Sequence, residues 1–576
     1  MTDLTLERPV SGLGLFRATS GTALTPSRLR RSFVLFLGVA LFFGALTVAL
    51  LWPWMAHLSH ALIGPPEDNM NDFWNSWYAS VAASPAHFFH TKLLRFPEGT
   101  PLIYQSFAYP QLFSVAMLSR WLGTNIQTLV WLQNLTLLAS FPLAGIGAYC
   151  LVRHLTQSVV GGLVGGFVFA FSPFHIAQAS HHAGVASIEF LPFFVLAYLL
   201  ALERQSLWWL AAAALCNALS ALSCWYYLFY GGYFLAFHAL YARVRDGAWP
   251  GGWPLRAPLL CFGLTIVILS PFLVPMILAS APSLYFPGAK LFVADLAGFV
   301  AFPPQHILAS ITRGLYARFT GNPWEATVYL GLINIALLSW HWGRTGLARP
   351  SLNFYCAFGM LIFGVLAAGE SLHVAGVTTF VFLPDAALDR LPFFANVRTP
   401  ARAIVFVYLF MSIGVGIAVA ALWQEGKAAS RWVFAALAAL IVLDFCPFGL
   451  QTTPVAPPSG LRVLSGDTDH NFGVLNLPFR YVAEDTYMLE QVYHRRPMVD
   501  GLTAREMSVS LLYRLSYKNL DRQREQLTRA GVKYILLHHA ANGYFAWNKE
   551  LAPVGAYLRA YPTVYRDSDL TILRVY

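Results

Sequence analysis

Three carboxylates stand close together in GPPEDNMNDFWNSWY, residues 64–78: Glu67, Asp68 and Asp72. The whole chain of 576 residues has only 28 acidic ones, so the concentration is a signal. Asp68 and Asp72 are four apart and share one face of a helix. Two carboxylates so placed can hold a divalent cation through oxygen ligands, or one of them can take the proton of an attacking hydroxyl. Plainer roles exist for both: Asp68 can cap the helix that follows, and Asp72 can be a solvated helix-face residue. Phe73, Trp74, Trp77 and Tyr78 suit a segment lying at a membrane surface.

A second cluster lies in residues 172–189, where His175, His181 and His182 are followed by Glu189. An ionisable group inside an apolar span points to function, whereas histidines at a span's end are also explained by exposure to water. Their spacing matches no zinc signature. A third pair, Arg398 and Arg402, straddles Pro400. The planar guanidinium fork suits a phosphate, and headgroup snorkelling is the alternative. Arg95, Glu98, Glu325, Glu484 and Asp485 are weaker candidates, residues of a kind more often structural or solvated than catalytic.

The elements that position these groups follow from composition. Hydrophobic residues make up 57% and charged residues 11% of the chain, with mean hydropathy +0.54. A soluble domain carries about 25% charged residues, so this is a polytopic α-helical membrane protein. The net charge of +10 fits Lys/Arg enrichment in cytoplasmic loops, and no nucleic-acid motif accompanies it. The six cysteines, at 150, 216, 224, 261, 356 and 446, fall in or beside spans and form no CxxC pair, against both a disulfide framework and a zinc site. Apolar runs predict about eleven spans: 33–55, 127–152, 159–170, 185–202, two within 207–242, 258–279, 326–340, 353–368, 403–423 and 432–448. The glycines at 161, 162, 165 and 166 in the third favour close helix packing. Arg28, Arg30 and Arg31 ahead of the first span place the N-terminus in the cytoplasm.

Three parts result: a cytoplasmic tail, 1–32; a transmembrane domain, 33–452, with long outer loops at 56–126, 280–325 and 370–401; and an outer soluble α/β domain, 453–576. The first loop is expected to carry a surface helix over 71–83 and a short interfacial helix near 110–122. Strand patterns recur in the last part at 473–479, 532–538 and 563–576, with a hairpin turn at RDSDL and a helical stretch over 508–530.

The layout resembles the GT-C superfamily of membrane glycosyltransferases. EDNMNDFWNSWY, FPEGTPL, SPFHIAQASHHAGVASIEFLPF, NVRTPARA and the soluble outer tail carry the resemblance, from residue 33 to the C-terminus. It is similar in particular to a group of bacterial polytopic glycosyltransferase-like proteins. The resemblance implies a sugar donor on a polyprenyl phosphate, used at the outer face of the bacterial inner membrane, and a cell-envelope glycan, lipid or protein as acceptor. The family's first-loop acidic residue maps to Asp68 or Asp72, as general base or as ligand of a divalent cation, Mg2+ or Mn2+. Its phosphate-gripping arginine maps to Arg398 or Arg402. Glu189 joins the catalytic set, and Glu67, His175, His181 and His182 the substrate contacts. The rival readings are a flippase or transporter of lipid-linked sugars, which would place broken helices and charges at the bilayer midplane, and a non-catalytic envelope-assembly scaffold.

Overall fold

The computed structural model describes residues 26–82, 84, 87–279, 291–349, 351–388, 390–391, 394, 397–424, 428–479, 481–505, 510–539 and 551–576. The expected N-terminal tail therefore lies, up to residue 25, outside the described residues, as do 280–290 of the second long loop. The chain divides into two compact units. A helical unit takes Met1–Ala56, Leu137–Ser270 and Phe286–Leu450; a loop–tail unit takes His57–Thr136, Pro271–Tyr285 and Gln451–Tyr576. The first long loop thus groups with the C-terminal part, where the sequence had suggested a division near residue 452.

Each expected span overlaps a helix, the expected 326–340 only in part, since that helix is Leu332–Thr345. Six helices among the described residues are long and apolar enough to cross a membrane: Phe33–Leu50, Ile126–Thr156, Val159–His181, Ala183–Arg204, Trp253–Leu278 and Pro400–Gln424. Leu207–Ser223, Leu352–Ala367 and Trp432–Asp444 are apolar but shorter than the roughly 20 residues a bilayer core requires. The protein is a multi-pass membrane protein. Ile404–Gln424 is apolar on every side and buried along nearly its whole length, as a helix at the centre of a bundle must be. Phe33–Leu50 and Trp253–Leu278 instead leave Phe33, Leu41, Leu259, Val267 and Leu278 exposed, the surface a lipid-facing helix presents.

Glycine in the third span lets Val159–Ala170 press against the central helix. A Cβ at Gly161 would stand 2.5 Å from the Gly416 carbonyl oxygen, and one at Gly165 2.6 Å from that of Ser412. The third long loop forms a hairpin, Ser371–Val374 with Val377–Phe382. Its turn residues Ala375 and Gly376 both have positive φ. The Asp295 carboxylate accepts the N–H groups of Ala297, Ala375 and Gly376, each at 2.8 Å, and so clips the second loop to that hairpin.

The loop–tail unit is built on a four-stranded sheet in the order Gly473–Leu477, Val532–His538, Leu570–Arg574, Thr563–Arg566. The first pair is parallel and the others antiparallel. A parallel pair needs a long crossover, which the helices Tyr481–His494 and Leu520–Arg529 supply. The expected strands and hairpin turn are present. The helical stretch begins later than expected, at Leu520, and the helix Tyr481–His494 was not foreseen. Leu475, Leu477, Leu527, Ile535, Leu537 and Leu573 form the core, and Phe96 of the first loop packs on it. Backbone bonds stitch loop to tail. Met498 N–H donates to Leu93 O (2.8 Å), Phe96 N–H to Met498 O (2.8 Å) and Arg95 N–H to Asp500 O (3.0 Å). Ala61–Ile63 pairs antiparallel with Thr452–Pro454.

Candidate functional site

In the loop–tail unit the acidic segment forms the helix Asp68–Trp77, followed by a π turn, Tyr78–Ala82. Its start is set locally. Asn69 Nδ2 donates to Ile63 O (2.9 Å), while Asn69 Oδ1 accepts the Glu67 N–H (3.1 Å). The helix is not the membrane-surface element expected: eight of its ten residues are buried. Phe73, Trp74, Trp77 and Tyr78 are core residues of this unit rather than interfacial anchors. Trp74 donates its indole N–H to Gln491 Oε1 at 2.7 Å and stacks on Tyr78. Gln105 Nε2 donates to Asn71 Oδ1 (3.1 Å) and Asn75 Oδ1 (3.0 Å), and Ser76 Oγ to Gln133 Oε1 (2.6 Å). Trp74 found protein partners for both ring and N–H, which a bilayer interface would otherwise supply, whereas the buried Trp77 Nε1 has no hydrogen-bond partner among the described residues. The two helix residues left half-buried are Asp68 and Asp72.

The helix Tyr481–His494 packs against this one and brings Glu484 and Asp485. Asp485 is buried, and its Oδ1 has no hydrogen-bond partner among the described residues. Burial first, then the charges of Asp68, Glu484, Asp72 and Glu67, push its carboxyl up to about 8. Asp500 and Glu490, both buried, are pushed up to about 8 as well. For Asp500 the cause is burial and then Glu484, against the opposing Asn476 bond and Arg95 charge. For Glu490 it is burial and then Asp500. Among the described residues no group of three or more His, Cys, Asp or Glu side chains is disposed to hold a metal ion. No step below runs through a cation.

In the helical unit the hub is Glu325, one of the weaker candidates in the sequence. It is almost fully buried and accepts from Arg402 Nε at 3.0 and 3.1 Å, from Arg402 Nη2, and from Gln178 Nε2 at 3.2 Å. His182 Nε2 lies 3.5 Å away. Burial alone would raise this carboxyl, but Arg402 and His182 outweigh it and hold it at about 2. The Arg402 guanidinium also lies over the Tyr226 ring, 4.9 Å from its centroid. His181 stacks on Trp324 at 4.1 Å. His175 is a core residue. Its Nδ1 is 2.6 Å from Ala170 O, its Nε2 is 3.0 Å from Ser140 Oγ, and its ring stacks on Phe141. Glu189 lies inside the span Ala183–Arg204, immediately before the helix Phe190–Arg204. It is buried, and its Oε2 has no partner among the described residues. Arg398 is exposed.

Each unit therefore brings together part of the predicted set. Asp68, Asp72 and Glu67 gather with Glu484 and Asp485, while His181, His182 and Arg402 gather around Trp324 and Glu325. The role of Glu325 had one signal in the sequence, a charge at the edge of an apolar run, and that of Asp485 had none. Asp500 and Glu490 had none.

No family model matches the chain, and no curated protein matches it. Solved structures do. Oligosaccharyltransferase AglB from Archaeoglobus fulgidus, in complex with an inhibitory peptide and a dolichol-phosphate, superposes with a TM-score of 0.52 at 12% identity, covering 90% of this chain and 71% of its own. Arabinofuranosyltransferase AftD from Mycobacteria gives 0.54 at 14% identity, over 96% of this chain and 40% of its own. This chain thus spans two-fifths of the AftD chain. Both are GT-C membrane glycosyltransferases, and the fold of this chain is the GT-C fold.

Proposed function

We propose that the protein transfers a sugar from a polyprenyl-phosphate donor to a glycan, lipid or protein of the cell envelope, at the outer face of the bacterial inner membrane. The observation that carries this reading is the acidic helix. Its buried residues hold it by hydrogen bonds to the surrounding loop and tail, and the two residues left half-buried are Asp68 and Asp72. That is how a preorganised base is built. The superposed AglB, in complex with a dolichol-phosphate, supports a lipid-phosphate donor.

In the transfer, the acceptor hydroxyl oxygen forms a bond to the sugar's anomeric carbon as the bond from that carbon to the phosphate oxygen breaks. The hydroxyl proton passes to the carboxylate of Asp68 or Asp72. The electron pair of the broken bond stays on the phosphate, and fixed cationic donors stabilise that gain of charge. Arg402 is held by Glu325 and anchors the segment that carries Arg398, the exposed arginine of the pair that the resemblance assigns to a phosphate. Glu189, buried and with an unpartnered oxygen, is the acidic group assigned to the donor side.

The test is incorporation of labelled sugar into envelope material by cells producing Asp68→Asn, Asp72→Asn and the double variant at wild-type abundance. Loss of incorporation in the double variant and in at least one single variant is expected. Full incorporation in all three would refute the assignment.

A further inference from the structure

The helix Asp68–Trp77 is not a membrane-surface element, but the helical unit carries one in two loops that belong to no span. In the second long loop, the short helix Ala309–Tyr316 turns Thr312 and Tyr316 inward. Thr312 Oγ1 donates to Phe302 O at 2.7 Å, and Tyr316 packs with Ala301 and Ala326. Its other side, with the residues just before it, leaves Ile307, Leu308 and Ile311 exposed, Ile311 at 69%. In the third loop, Phe380 and Phe382 of the strand Val377–Phe382 stand two apart and so on one face. They are 96% and 76% exposed. A two-stranded hairpin is marginal in water by itself, and one that shows two phenylalanines to solvent invites aggregation unless something covers it. Neither loop is loose. The Asp295 carboxylate joins them, and a Cβ at Gly376 of the hairpin turn would collide with Arg318 O beyond the helix. The same assembly is tied to the ends of apolar helices. Ala294 N–H donates to Ala367 O (2.8 Å), where Leu352–Ala367 ends. Ala401 N–H donates to Phe292 O (3.2 Å), where Pro400–Gln424 begins. Leu330 N–H donates to Phe299 O (3.0 Å), just before Leu332–Thr345.

We propose that this assembly, residues 291–319 with the hairpin 371–382, is a lipid-docking surface that seats its exposed apolar side chains in the bilayer and its arginines on anionic phospholipid headgroups. Two observations choose this occupant. The first is continuity with the membrane-spanning helices. The backbone bonds at Ala367, Ala401 and Leu330 hold the assembly at the ends of those helices, and Ser371 follows Ala367 by four residues, at most about 14 Å of chain. Side chains fixed at that level meet the boundary between acyl chains and headgroups. The second is charge. Among the described residues of 291–325 and 369–398, every exposed charged side chain is an arginine: Arg313, Arg318, Arg390 and Arg398. The acidic ones are withdrawn, Asp295, Glu325 and Asp385 buried and Glu370 half-buried. Exposed apolar residues rimmed by cations alone are the pattern of an element lying in an anionic membrane surface. A second copy of the chain suits the face less well, because a two-fold contact repeats the same patch on both sides and sets arginine against arginine. Trp324, Glu325 and Arg398 lie on these same two loops, so the contact sets their depth at the membrane boundary. The inference does not depend on the transfer reading and holds whatever reaction the fold performs.

The test is photocrosslinking of the full chain in nanodiscs of phosphatidylcholine mixed with phosphatidylglycerol. The photoreactive p-benzoylphenylalanine replaces Phe380, Ile311 or, as the control, Ser568, which is exposed in the hairpin turn of the tail. Adducts are identified by mass spectrometry. Lipid adducts at positions 380 and 311 should exceed those at 568 several-fold, with phosphatidylglycerol over-represented relative to its share of the bilayer. In an Arg313→Gln/Arg318→Gln background the lipid adducts should persist while phosphatidylglycerol falls toward its bulk share. Should that background not fold, raised salt must lower the enrichment in the chain with both arginines, by screening. Lipid yields at 380 and 311 no higher than at 568 would overturn the proposal. Adducts to peptides of the tail or of a second copy in place of lipid would overturn it too, by giving the face a protein occupant. Phosphatidylglycerol at its bulk share, or an enrichment that neither the arginine changes nor salt reduces, would overturn the anionic-headgroup assignment.

Discussion

Replacing Glu325 by alanine strips the buried Arg402 of its carboxylate partner. The native pair is close: Arg402 Nε sits 3.0 and 3.1 Å from the two carboxylate oxygens, and Gln178 Nε2 sits 3.2 Å from one of them. Removing one member of a buried pair costs about 3–5 kcal/mol, because the charge left behind cannot reach water. A second route to the magnitude uses the carboxyl itself. It is held at about 2 instead of its ordinary 4.5. At ~1.4 kcal/mol per pH unit, that preference is worth ~3 kcal/mol. The two agree. The sign also follows: this stability is fully present above pH 4.5 and is lost as pH falls through 4.5 toward 2. The assay is unfolding of the full chain in detergent by near-ultraviolet circular dichroism, with wild type, Glu325→Ala, Glu325→Gln and the double variant Glu325→Leu/Arg402→Met side by side. Alanine should cost ~4 kcal/mol. Glutamine, which still accepts from Arg402, should cost clearly less, and the all-apolar pair should recover most of the loss. If Glu325→Ala stays within about 1 kcal/mol of wild type, as exposed ion pairs do, the pair is not the anchor described here.

Three further outcomes are expected. Gly161→Ala places a Cβ 2.5 Å from the Gly416 carbonyl oxygen and should destabilise the bundle by about 1–3 kcal/mol, read as earlier unfolding in the same assay. Trp74→Phe leaves Gln491 Oε1 without its 2.7 Å donor and should cost about 1–3 kcal/mol, with faster proteolysis of the tail as the readout. Asp485, Glu490 and Asp500 sit at about 8 when folded against ordinary values of 3.8, 4.5 and 3.8. The folded unit therefore keeps protons that the unfolded chain loses above pH 4. Its stability should fall as pH rises from 4 to 8 and level off beyond; unfolding curves at pH 5, 6, 7 and 8 check this, and Glu490→Gln should flatten the slope.

Much of the helical unit was legible because its signal is local. A run of apolar residues is a span whatever surrounds it, so the helices overlap the expected segments, and the two short spans of 207–242 appear as Leu207–Ser223 and Tyr226–Asp246. The tail strands were legible for the same reason: Val532–His538 is a mostly apolar run, buried at six of its seven positions and so on both faces. The misreading of Phe73, Trp74, Trp77 and Tyr78 shows the limit. An aromatic cluster beside carboxylates has the same composition at a bilayer surface as in a protein core. Only its partner tells the two apart, and Gln491 is 417 residues away from Trp74 along the chain.

Periodicity and charge by themselves determined that the chain crosses a membrane repeatedly, that it carries an α/β tail, and that Asp68 and Asp72 share a helix face. Tertiary structure decided what each charge is for. It gave Arg402 to Glu325, retired His175 into the core, folded the first loop onto the tail, and buried Asp485 among the carboxylates of another element. The physical reason is that the state of an ionisable group depends on its distance to other charges and to water, and those distances are set by packing between segments hundreds of residues apart.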